Sequence, residues 1–375
     1  MKNRLLASIT PAAVALLALT LLSWGGTGGV ESGSVGGGSW NPVPPASRVA
    51  GQPSASWRPA VEPTDAPVDH SPGSTDAAPG GDAVALGYFI PGAASDPTKI
   101  DEYAKLVGSK PRIVMWYQSW AGEWSAFSAR TADAIHARGA MPMISWEPTA
   151  GPVEDRRWSL RSIINGSHDG YIKRWLRDVA VWGQDLYVRP MYEMNGWWAS
   201  WCAYANGNTP AQFVAAWRHI VDLAREAGAM NIRWVWSPNV DNDGLGTPFA
   251  DVFPGDDYVD WVGLDGFNRG TSWSSTRWQT MTEIFTASIE HVRELSARPL
   301  MIAETASSEV GGDKAAWIRT SLARVATDLP EVRAVIWFSK NETSLGIDWR
   351  VNSSAASLKA FRALARLPEF GGRLP

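Results

Sequence analysis

LYVRPMYEMNGWW, residues 186–198, opens as a strand and closes as a loop: alternating branched, aromatic and charged residues run into Pro190, then Glu193, Asn195, a glycine and two tryptophans. A short apolar strand that breaks at its C-terminal end onto a carboxylate is how a parallel barrel delivers a side chain to its mouth. RPLMIAETAS, residues 298–307, repeats the arrangement around Glu304. Strict alternation puts Arg189, Met191 and Glu193 on one face, with the guanidinium one layer below the carboxyl, and pairs Glu304 with Ile302.

Working outward from 186–193, seven more runs of the same kind occur, at 84–90, 112–117, 141–146, 232–237, 258–265, 299–304 and 332–338. Amphipathic stretches separate them, with helices expected at 171–182, 210–227, 277–295, 314–327 and 355–367. Eight strands alternating with helices is the count of a single (β/α)8 TIM barrel, here an α/β domain over residues 82–370. An open doubly wound sheet would need a glycine-rich phosphate loop after its first strand, and residues 87–92 (GYFIPG) are not one.

The barrel pattern is preceded by two segments of other character. Residues 1–24 combine Lys2 and Arg4 with an apolar run, the form of an export signal. The run is long enough to span a bilayer and lacks a clean small-x-small cleavage site, so a cleaved signal and a retained membrane anchor both stay open. Residues 25–81 are dominated by Gly, Pro, Ser, Ala and Thr and read as a flexible linker. The protein is therefore expected outside the cell, tethered to the envelope if the first segment is kept.

Composition removes several function classes. The net charge of −4, with no basic run beyond the N-terminus, gives no footprint for nucleic acid. One cysteine, Cys202, and five scattered histidines provide neither a disulfide nor a histidine-cysteine metal site. Asp241 and Asp243 could contribute to a calcium site but lack the distal glutamate of an EF-hand. No cofactor is expected, and oligomeric state is not legible. The 22 tryptophans are the anomaly: about half are expected in the core, but several crowd strand ends, where flat indole faces suit the apolar faces of sugar rings. Trp116, Trp146, Trp198, Trp236 and Trp337 are candidates for that role.

If 186–193 and 299–304 are the fourth and seventh strands, Glu193 and Glu304 face each other across the mouth. Two carboxyls about 5–5.5 Å apart cleave a β-glycosidic bond with retention, one as acid/base and one as nucleophile. Apolar Met194, Trp197 and Trp198 favour a neutral Glu193, and Arg189 is a candidate partner for an ionised Glu304. Glu147, in SWEP at the end of the third strand, is a competing carboxylate read as substrate-binding or structural.

These residues resemble glycoside hydrolase family 26. RPMYEMNGWW resembles the family's acid/base segment, and INGSHDGYIKRW (164–175), IRWVWSPN (232–239), DDYVDWVGLDGFN (256–268), PLMIAETAS (299–307) and AVIWFSKN (334–341) follow in order. The resemblance implies Glu193 as acid/base, Glu304 as nucleophile, and Asp265, Trp198 and Trp337 around the scissile sugar; Arg189, Tyr192, Asn195 and Phe267 complete the expected substrate-binding set. It implies an exported endo-β-glycosidase acting on a neutral polysaccharide, β-1,4-mannan first and β-1,3-1,4-glucan second. A non-catalytic carbohydrate-binding barrel is the alternative of another class. Two departures stand out: Tyr192 replaces a common histidine, and Phe267 replaces a tyrosine whose hydroxyl supports the nucleophile. Tyr192 is the expected substitute donor.

Overall fold

A computed structural model of the chain describes residues 83–240, 246–372 and 374. The segments read as signal (1–24) and linker (25–81), and the aspartates Asp241 and Asp243, lie outside the described residues. Eight parallel strands close in sequence order: β1 (Ala85–Phe89), β2 (Ile113–Ser119), β3 (Met141–Glu147), β4 (Leu186–Pro190), β5 (Ile232–Trp236), β6 (Trp261–Asp265), β7 (Leu300–Thr305) and β8 (Val332–Phe338), with β8 paired to β1. The expected (β/α)8 barrel is the observed fold.

Among the described residues ten helices accompany the strands: α1 (Thr98–Val107), α2 (Ala129–His136), α3 (Leu160–Ile164), α4 (Asp169–Trp182), α5 (Pro210–Ala227), α6 (Phe249–Val252), α7 (Met281–Arg293), α8 (Lys314–Thr320), α9 (Val325–Asp328) and α10 (Ala355–Leu364). Their ends follow local chemistry. Reciprocal capping boxes, Thr209 with Gln212 and Thr280 with Glu283, start α5 and α7. The second moves the start of α7 four residues past the expected 277. The helix expected over 314–327 divides at Ser321, whose Oγ accepts the Met281 N–H instead of leaving the backbone to continue. Among the described residues no helix is long and apolar enough to cross a membrane.

Strand alternation sorts the core into two compartments. Ile113, Met115, Met143, Tyr187, Val235, Trp261, Met301, Ala303, Ala334 and Ile336 fill the barrel. Val114, Trp116, Ile144, Trp146, Val188, Trp236, Leu264, Ile302 and Trp337 belong to the other compartment, between barrel wall and helices. Gly263 keeps room inside: a Cβ there would lie 2.6 Å from Ser237 Oγ, whose hydroxyl is used one layer higher.

Two departures from regular strand geometry shape the mouth. β4 ends at Pro190, and Met191 and Glu193 then take left-handed backbone with φ of 49° and 51°. That conformation is disfavoured for side chains with a Cβ and persists only where surroundings enforce it. Here the Met191 N–H is held by Trp146 O at 3.2 Å and the Glu193 N–H by Ser237 O at 2.7 Å. The face shared by Arg189, Met191 and Glu193 in the sequence reading is thereby broken: Met191 packs in the outer compartment. In β7, register shifts against both neighbours skip a residue, so Leu264 pairs with Ile302 but Asp265 with Glu304. Such a bulge re-aims a side chain. Ile302 faces the helices while Glu304 reaches the guanidinium inside the barrel, correcting the expectation that the two share a face.

Candidate active site

Arg189 is the hub beneath the mouth. It is fully buried, and Nη1 donates to both carboxylate oxygens of Asp265 at 2.8 and 2.7 Å. Nη2 donates to Glu304 Oε1 and to Ser145 Oγ at 2.9 Å, and Nε reaches Ser145 Oγ at 3.2 Å. Ser237 Oγ donates to Asp265 Oδ1 at 3.1 Å. A buried guanidinium flanked by two carboxylates with its donors satisfied is a fixed positive charge, since arginine does not deprotonate. Asp265 is thereby placed below the sugar-binding level, as the counter-charge of Arg189.

Glu304 extends from the β7 bulge and accepts a second bond on Oε1, from the Tyr117 hydroxyl at 2.6 Å. Tyr117 continues the inward series of Ile113 and Met115 on β2. It was not among the expected site residues, although strand alternation alone would have aimed it at the mouth.

Glu193 has different company. Oε2 accepts from Trp198 Nε1 at 2.8 Å and Oε1 from Asn239 Nδ2 at 2.5 Å. Burial, followed by repulsion from Glu304, pushes its carboxyl up to about 7, against the opposing pull of these two donors. Asn195 does not line the cleft as a free binding group. It exchanges two bonds with the Asn239 main chain, at 2.8 and 2.9 Å, and so holds the amide that holds Glu193. Trp198 lies flat over Gly196, where an added Cβ would come within 2.5 Å of the indole.

Glu147 and Tyr192 form a third group. The Tyr192 hydroxyl donates to Glu147 Oε1 at 2.7 Å, and the Tyr192 ring covers Arg189 with the guanidinium carbon 4.3 Å from its centroid. Burial pushes Glu147 up to about 7. Tyr192 is thus committed to Glu147 and is not the substitute donor to Glu304 that the sequence suggested. Phe267 packs instead against Trp349 and Phe338, at 5.1 and 5.7 Å between ring centroids. Phe338 stacks on Phe89 at 4.9 Å, and Phe89 meets Tyr117 at 5.0 Å, so a continuous aromatic wall leads from the loop after β6 to Glu304.

Four expected sugar-binding tryptophans are elsewhere. Trp146 stacks on Trp175 of α4 at 4.2 Å, and Trp236 packs on Phe249 and Phe253 and donates to Val252 O. Trp337 packs on Trp317 and Phe361 and donates to Trp349 O, and Trp116 shares the outer compartment, paired with Ile144. The wall of the barrel separates all four from its interior, and the inward position at the end of β8 belongs to Phe338. Their neighbours in sequence, Tyr117, Glu147, Ser237 and Phe338, are the residues that turn inward. Cys202 is buried against Glu193 O. Among the described residues no group of three or more His, Cys, Asp or Glu side chains is placed to hold a metal ion.

With this geometry in place, comparison with known proteins is specific. The family described as glycosyl hydrolase family 26 matches residues 160–304, a span that begins before β4 and ends on Glu304. Endoglucanase H of Acetivibrio thermocellus is 37% identical over 281 residues, which cover 74% of this chain and 30% of that protein. A β-1,3-xylanase of a Vibrio species is 32% identical over 183 residues, covering 46% of this chain and 36% of that protein. The chain thus spans about a third of the length of these curated relatives. The solved structure of a family 26 β-mannanase from Bacteroides ovatus superposes with a TM-score of 0.57 at 18% identity, covering 77% of this chain and 90% of that one, a likeness of fold.

Proposed function

The barrel of this chain is a glycosyl hydrolase family 26 domain, and on that premise we propose that it hydrolyses a neutral β-linked polysaccharide internally, by double displacement. Glu193 is the acid/base and Glu304 the nucleophile. The observation that carries this reading is the contrast between the two carboxyls. Glu193, raised to about 7, holds a proton to give to the leaving oxygen. Glu304 faces the Arg189 guanidinium and the Tyr117 hydroxyl, and an ionised carboxylate is the acceptor-only form that satisfies both. Attack by Glu304 on the anomeric carbon, with proton donation from Glu193, gives a glycosyl-enzyme. Glu193, now ionised, takes a proton from water, which opens the ester.

We propose β-glucan of mixed 1,3-1,4 linkage as first substrate and β-1,4-mannan as second. A relative matched over 281 residues carries the name endoglucanase, which supports reversing the order expected from sequence. The aromatic wall of Phe89, Phe338, Phe267 and Trp349 supports a neutral pyranose in either case. Export, with or without retention of residues 1–24 as an anchor, is proposed from their basic-then-apolar pattern.

Reducing ends released from lichenan, mannan and β-1,3-xylan test the substrate, and proton NMR of the first-formed anomer tests the mechanism. Retention at C1 with release from lichenan is the expected result. Release from mannan alone would restore the other order, an inverted anomer would remove the double displacement, and binding without release would favour a carbohydrate-binding barrel.

A further inference from the structure

Glu304 receives its two donors on one oxygen. Arg189 Nη2 and the Tyr117 hydroxyl both meet Oε1, whereas no side-chain or backbone bond reaches Oε2 among the described residues. Oε2 is also not among the buried polar atoms left unpartnered, so it keeps access to the cleft. The two oxygens are therefore unequal before any substrate arrives. The two aromatic residues from which a supporting hydroxyl would be expected are otherwise engaged or lack one. Phe267 has no hydroxyl and turns its ring to Phe338 and Trp349, and Tyr192 donates to Glu147.

We propose that Tyr117, supplied by β2, is the positioning residue of the nucleophile: it fixes Oε1 of Glu304 and leaves Oε2 as the atom that attacks the anomeric carbon. The inference rests on the double-displacement reading above. Its geometry is well supported from β2 itself. The Tyr117 ring is wedged between Phe89 at 5.0 Å and Tyr192 at 5.7 Å, which restricts where its hydroxyl can point. The next residue, Gln118, ties the strand end down through Nε2 bonds to Trp124 O at 2.9 Å and Ala126 O at 2.6 Å. Burial, followed by the charge of Glu304, pushes the Tyr117 phenol well above its ordinary range, so it remains a donor throughout neutral pH. Arg189 alone could not impose the same order. Its guanidinium lies beneath the carboxyl and is shared with Asp265, whereas Tyr117 adds a second direction of constraint on the same oxygen.

The test isolates the attack. The 2,4-dinitrophenyl 2-deoxy-2-fluoro-β-glycosides of cellobiose and mannobiose label a retaining nucleophile without needing its acid partner. A bond forms from the carboxylate oxygen to C1, the C1–O bond breaks, and dinitrophenolate leaves with the electron pair. In Tyr117→Phe we expect labelling of Glu304 at saturating probe to slow roughly 10- to 100-fold. The melting temperature should stay within about 2 °C of wild type. Trp317→Phe, behind the barrel wall against Trp337, should label at the wild-type rate. Equal labelling rates in Tyr117→Phe and wild type would overturn the proposal. Should that variant fold poorly, the crystal structure of the labelled wild type decides: C1 bonded to Oε2 with Tyr117 still on Oε1 supports it, and C1 bonded to Oε1 overturns it. A wild type that hydrolyses lichenan or mannan yet acquires no label from either probe would reject the double displacement and Tyr117's role together, whereas a labelled wild type with an unaffected Tyr117→Phe rejects Tyr117 alone.

Discussion

The two sides of the barrel mouth hold the same functional group in opposite ways. On the β4–β5 side, Glu193 sits on a left-handed backbone turn and meets only neutral donors, an indole N–H and a carboxamide. On the β7–β2 side, Glu304 leaves a bulged strand and meets a buried guanidinium and a phenol. With no cation hydrogen-bonded to Glu193, desolvation dominates and keeps a proton available there; on the other side an acceptor-only carboxylate matches both donors of Glu304. The cation that distinguishes the two sides comes from β4 itself, four residues before Glu193, yet reaches across the barrel to Glu304.

The comparison is broken most severely by removing the carboxyls. Glu304→Gln should lower kcat by roughly 10⁴- to 10⁶-fold with every substrate, because no other group on that side can form the covalent intermediate. Glu193→Gln should lower it by roughly 10²- to 10⁴-fold on polysaccharide, yet spare the first step with a dinitrophenyl leaving group that needs no proton. Steady-state and burst kinetics on both substrate types check the pair. Equal losses on both substrate types in both variants would mean that the sides do not differ in role.

A cavity behind the wall gives a smaller and different effect. Trp337→Ala opens a space between β8, Trp317 and Phe361 and should destabilise the fold by about 3–5 kcal/mol while leaving KM near wild type. Phe338→Ala, one residue later but facing the mouth, should raise KM. Denaturant unfolding and kinetics on the two variants separate wall from cleft. A selective rise in KM for the Trp337 variant would return that indole to the sugar-binding surface.

Much of this organisation is legible in the sequence, and what is not has specific causes. All eight strands are readable from branched and aromatic runs, and Glu193 and Glu304 stand out because each ends such a run beside few other charges. The tryptophans mislead because the suitability of an indole for a sugar face says nothing about strand parity. Trp146 and Glu147 are adjacent on β3, and a strand cannot turn both into the mouth. The same rule would have pointed to Tyr117 and Ser237. The β7 bulge is harder: its direction depends on simultaneous pairing with β6 and β8, which no local pattern encodes. Asn239 is hidden for a similar reason, since its role follows from a latch with Asn195 across two loops.

On the acid side, the contrast can be sharpened by titration. Trp198 and Asn239 both donate to Glu193 and so favour its ionised form. Trp198→Phe should therefore raise the carboxyl further, carry the descending limb of the kcat/KM profile, expected near pH 7 in wild type, to higher pH, and reduce the maximum roughly 5- to 10-fold. Gly196→Ala, which drives a methyl group into that indole, should move the limb the same way. A limb that moves down, or stays fixed in both variants, would show that the indole N–H does not control the acid.

The smallest expected effect concerns Glu147, which shares the acid's burial without its place in the reaction. Its carboxyl is raised to about 7 in the folded protein, from an ordinary value of 4.5. Between those values the folded state holds a proton that the unfolded state has released. The associated stability is complete below about pH 4.5 and is lost as pH rises through 7. Glu147→Gln keeps an acceptor for the Tyr192 hydroxyl and removes the titration. Between pH 5 and 8 the variant should lose less stability than wild type, by on the order of 1–3 kcal/mol. Urea unfolding at the two pH values measures this difference. Parallel pH dependence in variant and wild type would assign the raised carboxyl elsewhere, leaving Glu193 as the group whose burial is offset by function.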